Sequence, residues 1–339
     1  MDKEIGSEFW DVPAAENNCR LFPESTQWFL SGRSALQAVI KELNQVKRVA
    51  MPSWCCDSMV KPFMDAGIEV KFYPVCYTKD RGVVQTIDTE CDVLFLMDYF
   101  GYTSAKTVSH PCIIRDVTHS IFSHSYDDAD FQFGSLRKWC GVWTGGYAWT
   151  KDSHKLILKD TEDCNYITLR QIAMEKKRCY MNGVLDKIGQ NVEDKSYLEV
   201  YAHAEALLET CGVSRATERD IYFAQILDVN FIKNSRRANA KVLMEAFPDW
   251  LLYPDLADSD CPMFVPIFVP NGKRDALRKY LIAYQIYCPI HWPVSSYHNL
   301  NKNTDLLYRN ELSLVCDQRY TEEDMYRMVE TIKRFWREG

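Results

Sequence analysis

Glycine is scarce, 14 in 339 residues, so the placement of each one carries information. No run of about 18 apolar residues is free of charge, which excludes a membrane-spanning helix. Basic tracts are missing too: 40 basic residues stand against 47 acidic ones, for a net charge of -7. That balance excludes nucleic acid as the main partner. The 13 cysteines are odd in number and scattered, with Cys55 and Cys56 adjacent and no C-x-x-C spacing. A disulfide framework and a structural zinc site both fail on that pattern, whereas reduced thiols fit it. The first ten residues carry Asp2, Glu4 and Glu8 where a signal peptide needs a basic and then an apolar stretch. The sequence reads as that of a soluble cytoplasmic protein.

What is present is a globular composition, 47% hydrophobic and 26% charged. The length suggests two domains, whose cores need no covalent staple. Residues 33–46 place Leu36, Val39, Ile40 and Leu43 on one helical face, with Ser34 as cap and Gly32 at the entry turn. A short apolar piece, Val49 to Met51, precedes a helix over Asp57 to Asp65 and a strand over Ile68 to Tyr73. Further strands are expected over Cys91 to Tyr99, Cys112 to Arg115 ending in Asp116, Asp130 to Phe133, and Gly146 to Thr150. Apolar strands alternating with helices predict an α/β fold with a mostly parallel sheet.

From Lys151 the pattern turns helical, and Arg219 to Phe247 reads as one long helix. A second α/β stretch follows, with strands Met263 to Val269, Tyr287 to His291 and Leu312 to Val315, and a helix Arg274 to Tyr284. Its last helix, Glu322 to Trp336, opens on the capping-box pattern T-E-E-D. The expected organisation is an N-terminal arm over 1–24, a large domain over 25–240 and a smaller C-terminal α/β domain over 241–339.

Chemistry-bearing residues concentrate between Gly101 and Gly146, which hold five of the 14 glycines. Lys138 lies in G-S-L-R-K-W-C-G-V-W-T-G-G, whose apolar flanks would desolvate its ammonium and favour the nucleophilic amine; the alternative is an ordinary surface lysine. Asp116 emerges from a buried strand, either as a functional carboxylate or as the cap of the segment V-T-H-S. A lysine and a carboxylate at successive strand ends are the pair that pyridoxal phosphate (PLP) requires: one amine for a Schiff base, one carboxylate at the pyridine nitrogen. The turn Ser31-Gly32-Arg33-Ser34 opens a helix, whose free N–H groups suit a phosphate.

With these residues in hand, the chain resembles the DegT/DnrJ group of sugar aminotransferases, fold-type I PLP enzymes with the aspartate aminotransferase-like architecture. S-G-R-S-A-L at 31–36 is similar to the family's phosphate turn, and P-S-W-C-C-D-S at 52–58 to its ring-stacking segment. D-Y-F-G at 98–101 resembles its glycine-ended strand, R-D-V-T-H-S at 115–120 its D-x-x-Q segment, and S-L-R-K then T-G-G its lysine turn. R-R-A-N-A at 236–240, I-Y-C-P-I-H-W-P at 286–293 and L-S-L-V-C at 312–316 continue the likeness through the C-terminal part.

The resemblance implies that Lys138 forms the Schiff base and shuttles the proton, with Asp116 at the pyridine nitrogen and His119 near the cofactor's 3-oxygen. Gly32, Arg33 and Ser34 would hold the phosphate, while Tyr99 and His291 would face the substrate. Three positions depart from the family pattern. Phe133 stands where a phosphate-binding serine is usual, five residues before the lysine, with Ser135 three before it as the replacement. Cys56 falls at the stacking position, with Trp54 two residues away. Ser214, in G-V-S-R, takes the place of an asparagine that reaches the phosphate of the dimer partner. The implied activity is amino transfer from glutamate to a keto acceptor, a nucleotide-linked keto sugar, by a homodimer with no metal. A PLP-dependent elimination or dehydration, and a non-catalytic ligand-binding protein on the same fold, are the alternatives.

Overall fold

The computed structural model describes residues 4–338 apart from 16–20, 88–89, 103–107, 124–128, 159–164, 184–194 and 299. Its first elements are β1 (Ile5–Gly6), β2 (Gln27–Phe29), α1 (Gly32–Glu42), β3 (Arg48–Pro52), α2 (Asp57–Asp65) and β4 (Glu69–Tyr73). There follow β5 (Val75–Thr78), β6 (Gly82–Gln85), β7 (Val93–Met97), β8 (Ile113–Asp116), β9 (Phe131–Ser135) and β10 (Gly146–Thr150). Helices α3 (Tyr166–Asn182), α4 (Tyr197–Leu207), α5 (Glu218–Gln225) and α6 (Val229–Ala246) come next. The chain closes with β11 (Val265–Phe268), α7 (Arg274–Ala283), β12 (Ile286–Tyr287), α8 (Lys302–Asn310), β13 (Glu311–Leu314) and α9 (Glu322–Glu338).

The main sheet has seven strands in the order β2-β10-β9-β8-β7-β3-β4. It is mixed and mostly parallel: β4, β3, β7 and β8 pair in parallel, whereas β2 runs antiparallel to β10. The expected α/β class is the one found. The chain folds as two compact units, one of residues 1–6, 44–132 and 229–339, the other of 7–43 and 133–228.

In the first unit, all five residues of β7 are buried, as a strand covered on both faces requires. A buried ion pair ties the strand ends, Arg115 Nη1 to Asp98 Oδ1 at 2.7 Å, and Ser120 Oγ donates to the other Asp98 oxygen. The C-terminal part packs α6 and α7 against α9 and pairs β11 with β13 antiparallel. At the head of α9, the Asp324 carboxylate accepts from the Thr321 N–H, the reach-back of a capping box.

In the second unit, α1 packs its buried face of Ala35, Leu36, Val39 and Ile40 against β2 and β10. Ser31, not Ser34, caps it: the Ser31 Oγ accepts from the Ser34 N–H at 3.1 Å. Ser34 therefore lies inside the first turn.

Two sequence expectations need correction. The long helix of 219–247 is two helices, α5 and α6, broken at 226–228. That segment bonds residues 13–15 instead, Ala15 N–H to the Ile226 carbonyl and Asp228 N–H to the Pro13 carbonyl. The strand of 287–291 shrinks to Ile286–Tyr287, paired in parallel with β1. Pro289 has no N–H to continue the ladder.

Candidate active site

The end of α1 is the most site-like feature of the second unit. The cap uses the Ser34 N–H, so the N–H groups of Gly32 and Arg33 are those the first turn offers to a ligand. A Cβ on Gly32 would lie 3.2 Å from the Ser135 Cβ and 3.4 Å from the Gly134 carbonyl oxygen; the end of β9 thus closes on the turn. Ser135 is buried, and among the described residues its Oγ has no hydrogen-bond partner. Native interiors rarely leave such a hydroxyl unsatisfied. An orphaned donor beside a helix N-terminus is the chemistry that a phosphate completes, so these residues fit the phosphate of PLP.

Two other predicted anchors are already engaged. Ser34 Oγ donates to the Gly212 carbonyl at 2.8 Å. The Ser214 Oγ donates to Cys211, and the Ser214 carbonyl accepts from the Leu30 N–H. Both lie close around the α1 turn, spent on backbone. The Arg33 guanidinium reaches outward to Glu209 at 3.9 Å.

Lys138 ends a 3-10 turn, Leu136–Lys138, that follows β9. Leu136, Trp139 and Cys140 are buried around it, yet Lys138 itself is exposed in this chain. The expected desolvation by its apolar neighbours is therefore not found: the tight turn sends them inward and the lysine out. The adjacent Arg137 instead takes the buried direction, bonding Tyr166 and forking onto Glu205 at 2.7 and 3.3 Å. Glu205 also meets Arg170 at 3.5 Å. Burial pushes the Glu205 carboxyl up, but Arg137, Arg170 and Lys138 together bring it down to about 2. The T-G-G turn after Lys138 is pinned by buried Asp220, which accepts from the Thr144 N–H and hydroxyl at 2.8 and 2.7 Å.

The remaining predicted residues belong to the first unit. Asp116 is buried at the end of β8, and its Oδ1 accepts from the Thr118 N–H at 2.8 Å. The carboxylate therefore does hold the following turn, and its charge also reaches Cys55, whose thiol is raised by burial first and then by Cys56, Asp57 and Asp116. His119 is buried against an aromatic cluster: its ring stacks on Trp292 at 5.9 Å and 18° and meets His291 edge-on at 5.8 Å. Its Nδ1 accepts from the Phe100 N–H at 3.4 Å.

Trp54 is wholly buried and stacks on Tyr99 at 5.0 Å. The Tyr99 hydroxyl donates to the Trp54 carbonyl and the Trp54 indole to the His291 carbonyl, both at 2.5 Å. Cys56 is half-buried at the head of α2, with its Sγ 2.8 Å from Ser58 Oγ. So Trp54, Tyr99, His119 and His291 form one aromatic cluster, while Gly32, Ser34, Ser135 and Ser214 gather around the α1 turn. The two groups belong to different units.

Sequence reasoning missed four residues here. Glu205 and Asp220 sit on helices whose charged faces look like ordinary solvated ones. Glu311 and Ser313 hold His291, and their signal was the polar alternation E-L-S-L in a strand read only for its apolar residues.

No protein-family model matches the sequence, and no curated protein matches it. Solved structures do match. The Helicobacter pylori aminotransferase PseC, involved in the biosynthesis of pseudoaminic acid, superposes with a TM-score of 0.62 at 15% identity, covering 98% of this chain and 100% of that one. A DegT DnrJ EryC1 StrS aminotransferase from Brucella abortus gives 0.58 at 17% identity, over 91% and 85% of the two chains. Bacillus subtilis NtdA, solved with bound cofactor PMP, gives 0.57 at 13% identity, over 91% and 72%. The chain has the fold of these aminotransferases. Among the described residues no helix is long and apolar enough to cross a membrane, and no group of three or more His, Cys, Asp or Glu could hold a metal ion.

Proposed function

We propose that this protein is a PLP-dependent aminotransferase acting on small molecules, with glutamate as amino donor and a nucleotide-linked keto sugar as acceptor. The observation that carries the reading is the buried Ser135 hydroxyl, without a hydrogen-bond partner among the described residues, beside Gly32 and the head of α1, three residues before Lys138. The fold, shared with a PMP-bound aminotransferase across 91% of the chain, supports it.

PLP, when bound, supplies the electron sink for breaking and forming the bond to the substrate's α-proton. Lys138 would provide the amine that holds the cofactor and would carry the proton between the substrate and cofactor carbons. The N–H groups of Gly32 and Arg33 and the Ser135 hydroxyl hold the phosphate, with Ser34 and Ser214 supporting the turn from behind. Asp116 keeps the pyridine nitrogen protonated, His119 serves the 3-oxygen, and Trp54 or Cys56 covers the ring. Tyr99 and His291 face the substrate. We place the large PLP-binding domain at 25–240 and the small domain at 241–339, in a cytoplasmic homodimer with no nucleic-acid or membrane partner.

The deciding experiment is the absorption spectrum of the purified chain with added PLP, before and after borohydride, followed by peptide mapping. A visible band that borohydride fixes onto Lys138, and that glutamate shifts to the pyridoxamine form, is the expected result. Lys138→Ala should lose the band and the turnover while keeping the fold. Label on another lysine, or full activity in Lys138→Ala, refutes the assignment.

A further inference from the structure

Among the described residues the His291 ring is hydrogen-bonded at Nδ1 alone. Its Nδ1 lies 2.9 Å from Ser313 Oγ, and its backbone N–H donates to Glu311 Oε2 at 2.6 Å. Ser313 Oγ in turn donates to Glu311 Oε1 at 2.5 Å. Residues 311 and 313 are two apart on β13, so their side chains leave the same face of the strand, while Leu312 and Leu314 are fully buried. Glu311 is itself 0% exposed. Among the described residues no lysine or arginine pairs with its carboxylate, and the nearest basic nitrogen is His291 Nδ1, at 3.8 Å. A carboxylate is costly to place there, and hydrophobic residues would fill the strand more cheaply.

The proton inventory gives the arrangement a direction. A serine hydroxyl has one proton, and here it goes to Glu311. Ser313 Oγ can then only accept from the imidazole, so the neutral ring must carry its proton on Nδ1. Nε2 has no partner among the described residues and keeps its lone pair. Aromatic rings fix the plane of the imidazole: Phe100 and Phe264 both lie 5.1 Å away by centroids.

We infer that Glu311 and Ser313 are positioning residues that lock His291 in the Nδ1–H tautomer and present Nε2 as a hydrogen-bond acceptor. Resting on the proposed aminotransferase reading, this makes His291 a recogniser of a substrate O–H or N–H group, such as a sugar hydroxyl. A phosphate or carboxylate finds no donor on the neutral ring. The tautomer itself follows from this chain alone and stands whether or not the protein binds PLP.

The test is long-range proton–nitrogen NMR on the full chain with labelled histidine, His291 being assigned among the seven histidines by its loss in His291→Gln. With its ring neutral, His291 should show a pyrrole-type Nδ1 and a pyridine-type Nε2. Ser313→Thr should keep that pattern, and Ser313→Ala should lose the bias. Glu311→Gln should invert it: the amide donates to Ser313, which frees the serine proton for Nδ1 and moves the ring proton to Nε2. A wild-type ring in the Nε2–H form, or a Glu311→Gln variant that folds and keeps the Nδ1–H form, overturns the inference. These outcomes are independent of the spectrum with PLP, so either proposal can fail alone.

Discussion

Gly146→Ala tests whether the α1 turn is built by close backbone approach. A Cβ at this position would lie 2.0 Å from the Ser31 carbonyl oxygen, 2.2 Å from its carbon and 2.9 Å from the Gly32 nitrogen. Ordinary contact begins near 3.4 Å, so β10 and the turn must separate by about 1.4 Å. Neither side can yield cheaply. Gly146 pairs with Phe29 across the β2–β10 ladder, and Ser31 caps α1. Overpacking usually costs about 1–3 kcal/mol, and backbone against backbone belongs at the upper end. The displaced atoms are also those that the proposed function assigns to the phosphate. Losing two hydrogen bonds to a charged group removes about 3 kcal/mol, or roughly 100-fold in PLP affinity. The control is Gly183→Ala, at φ +61° with nothing within 4 Å among the described residues. It bears only the left-handed backbone penalty of about 1–2 kcal/mol and should leave PLP binding untouched. Urea denaturation midpoints and a spectrophotometric PLP titration measure both. A Gly146→Ala chain as stable as the parent refutes the close-approach argument. One that is destabilised but binds PLP normally refutes the placement of the phosphate.

Asp98→Ala removes the partner of a fully buried Arg115 and should cost about 3–5 kcal/mol in denaturation, much of it recovered in Asp98→Ala/Arg115→Met. Glu205 is held below its ordinary range, at about 2 against 4.5, so its contribution to stability is complete above about pH 4.5 and is lost as the pH falls toward 2. The gap in denaturation midpoint between the parent and Glu205→Gln should therefore be constant near neutrality and close over that acid window; a gap that persists at pH 2 contradicts the Arg137–Glu205 assignment.

The elements that sequence reasoning located best are those whose signals are local. Asp57 to Asp65 and Gly146 to Thr150 have the bounds that apolar spacing and flanking glycine predicted. The failures come from partners far along the chain. Nothing in residues 226–228 announces that they will bond residues 13–15 and so break a helix whose periodicity runs on without interruption. The apolar flanks of Lys138 report correctly on Leu136, Trp139 and Cys140 but not on the lysine, because a 3-10 turn changes which way successive side chains leave the backbone. Glu311 and Ser313 alternate with leucines in a four-residue strand, and only the course of 289–291 beside it gives the polar face something to hold.

Phenylalanine stands at 133, five residues before the lysine, where the resemblance leads to the expectation of a serine. Phe133 and Ser135 lie on one face of β9, two residues apart, so the hydroxyl stands about 7 Å further toward the strand's end than in the usual pattern. A Cβ on Gly32 would come within 3.2 Å of the Ser135 Cβ, so the glycine lets the α1 turn and the end of β9 lie close together. On the proposed reading Ser135 takes the phosphate-binding role that the resemblance gives to the position of Phe133. The claim has a sign that a merely structural serine would not give. Among the described residues the buried Ser135 hydroxyl has no hydrogen-bond partner, and an unpaired buried hydroxyl costs stability. Ser135→Ala should then leave the apo chain unharmed or more stable, by up to about 1–2 kcal/mol. The same substitution should weaken PLP binding by roughly tenfold or more, since one charge-assisted hydrogen bond is lost. Measured together by denaturation without PLP and titration with it, the two effects must have opposite signs. A variant that is less stable than the parent yet binds PLP equally well would mean that Ser135 packs the strand end and that the phosphate is held elsewhere.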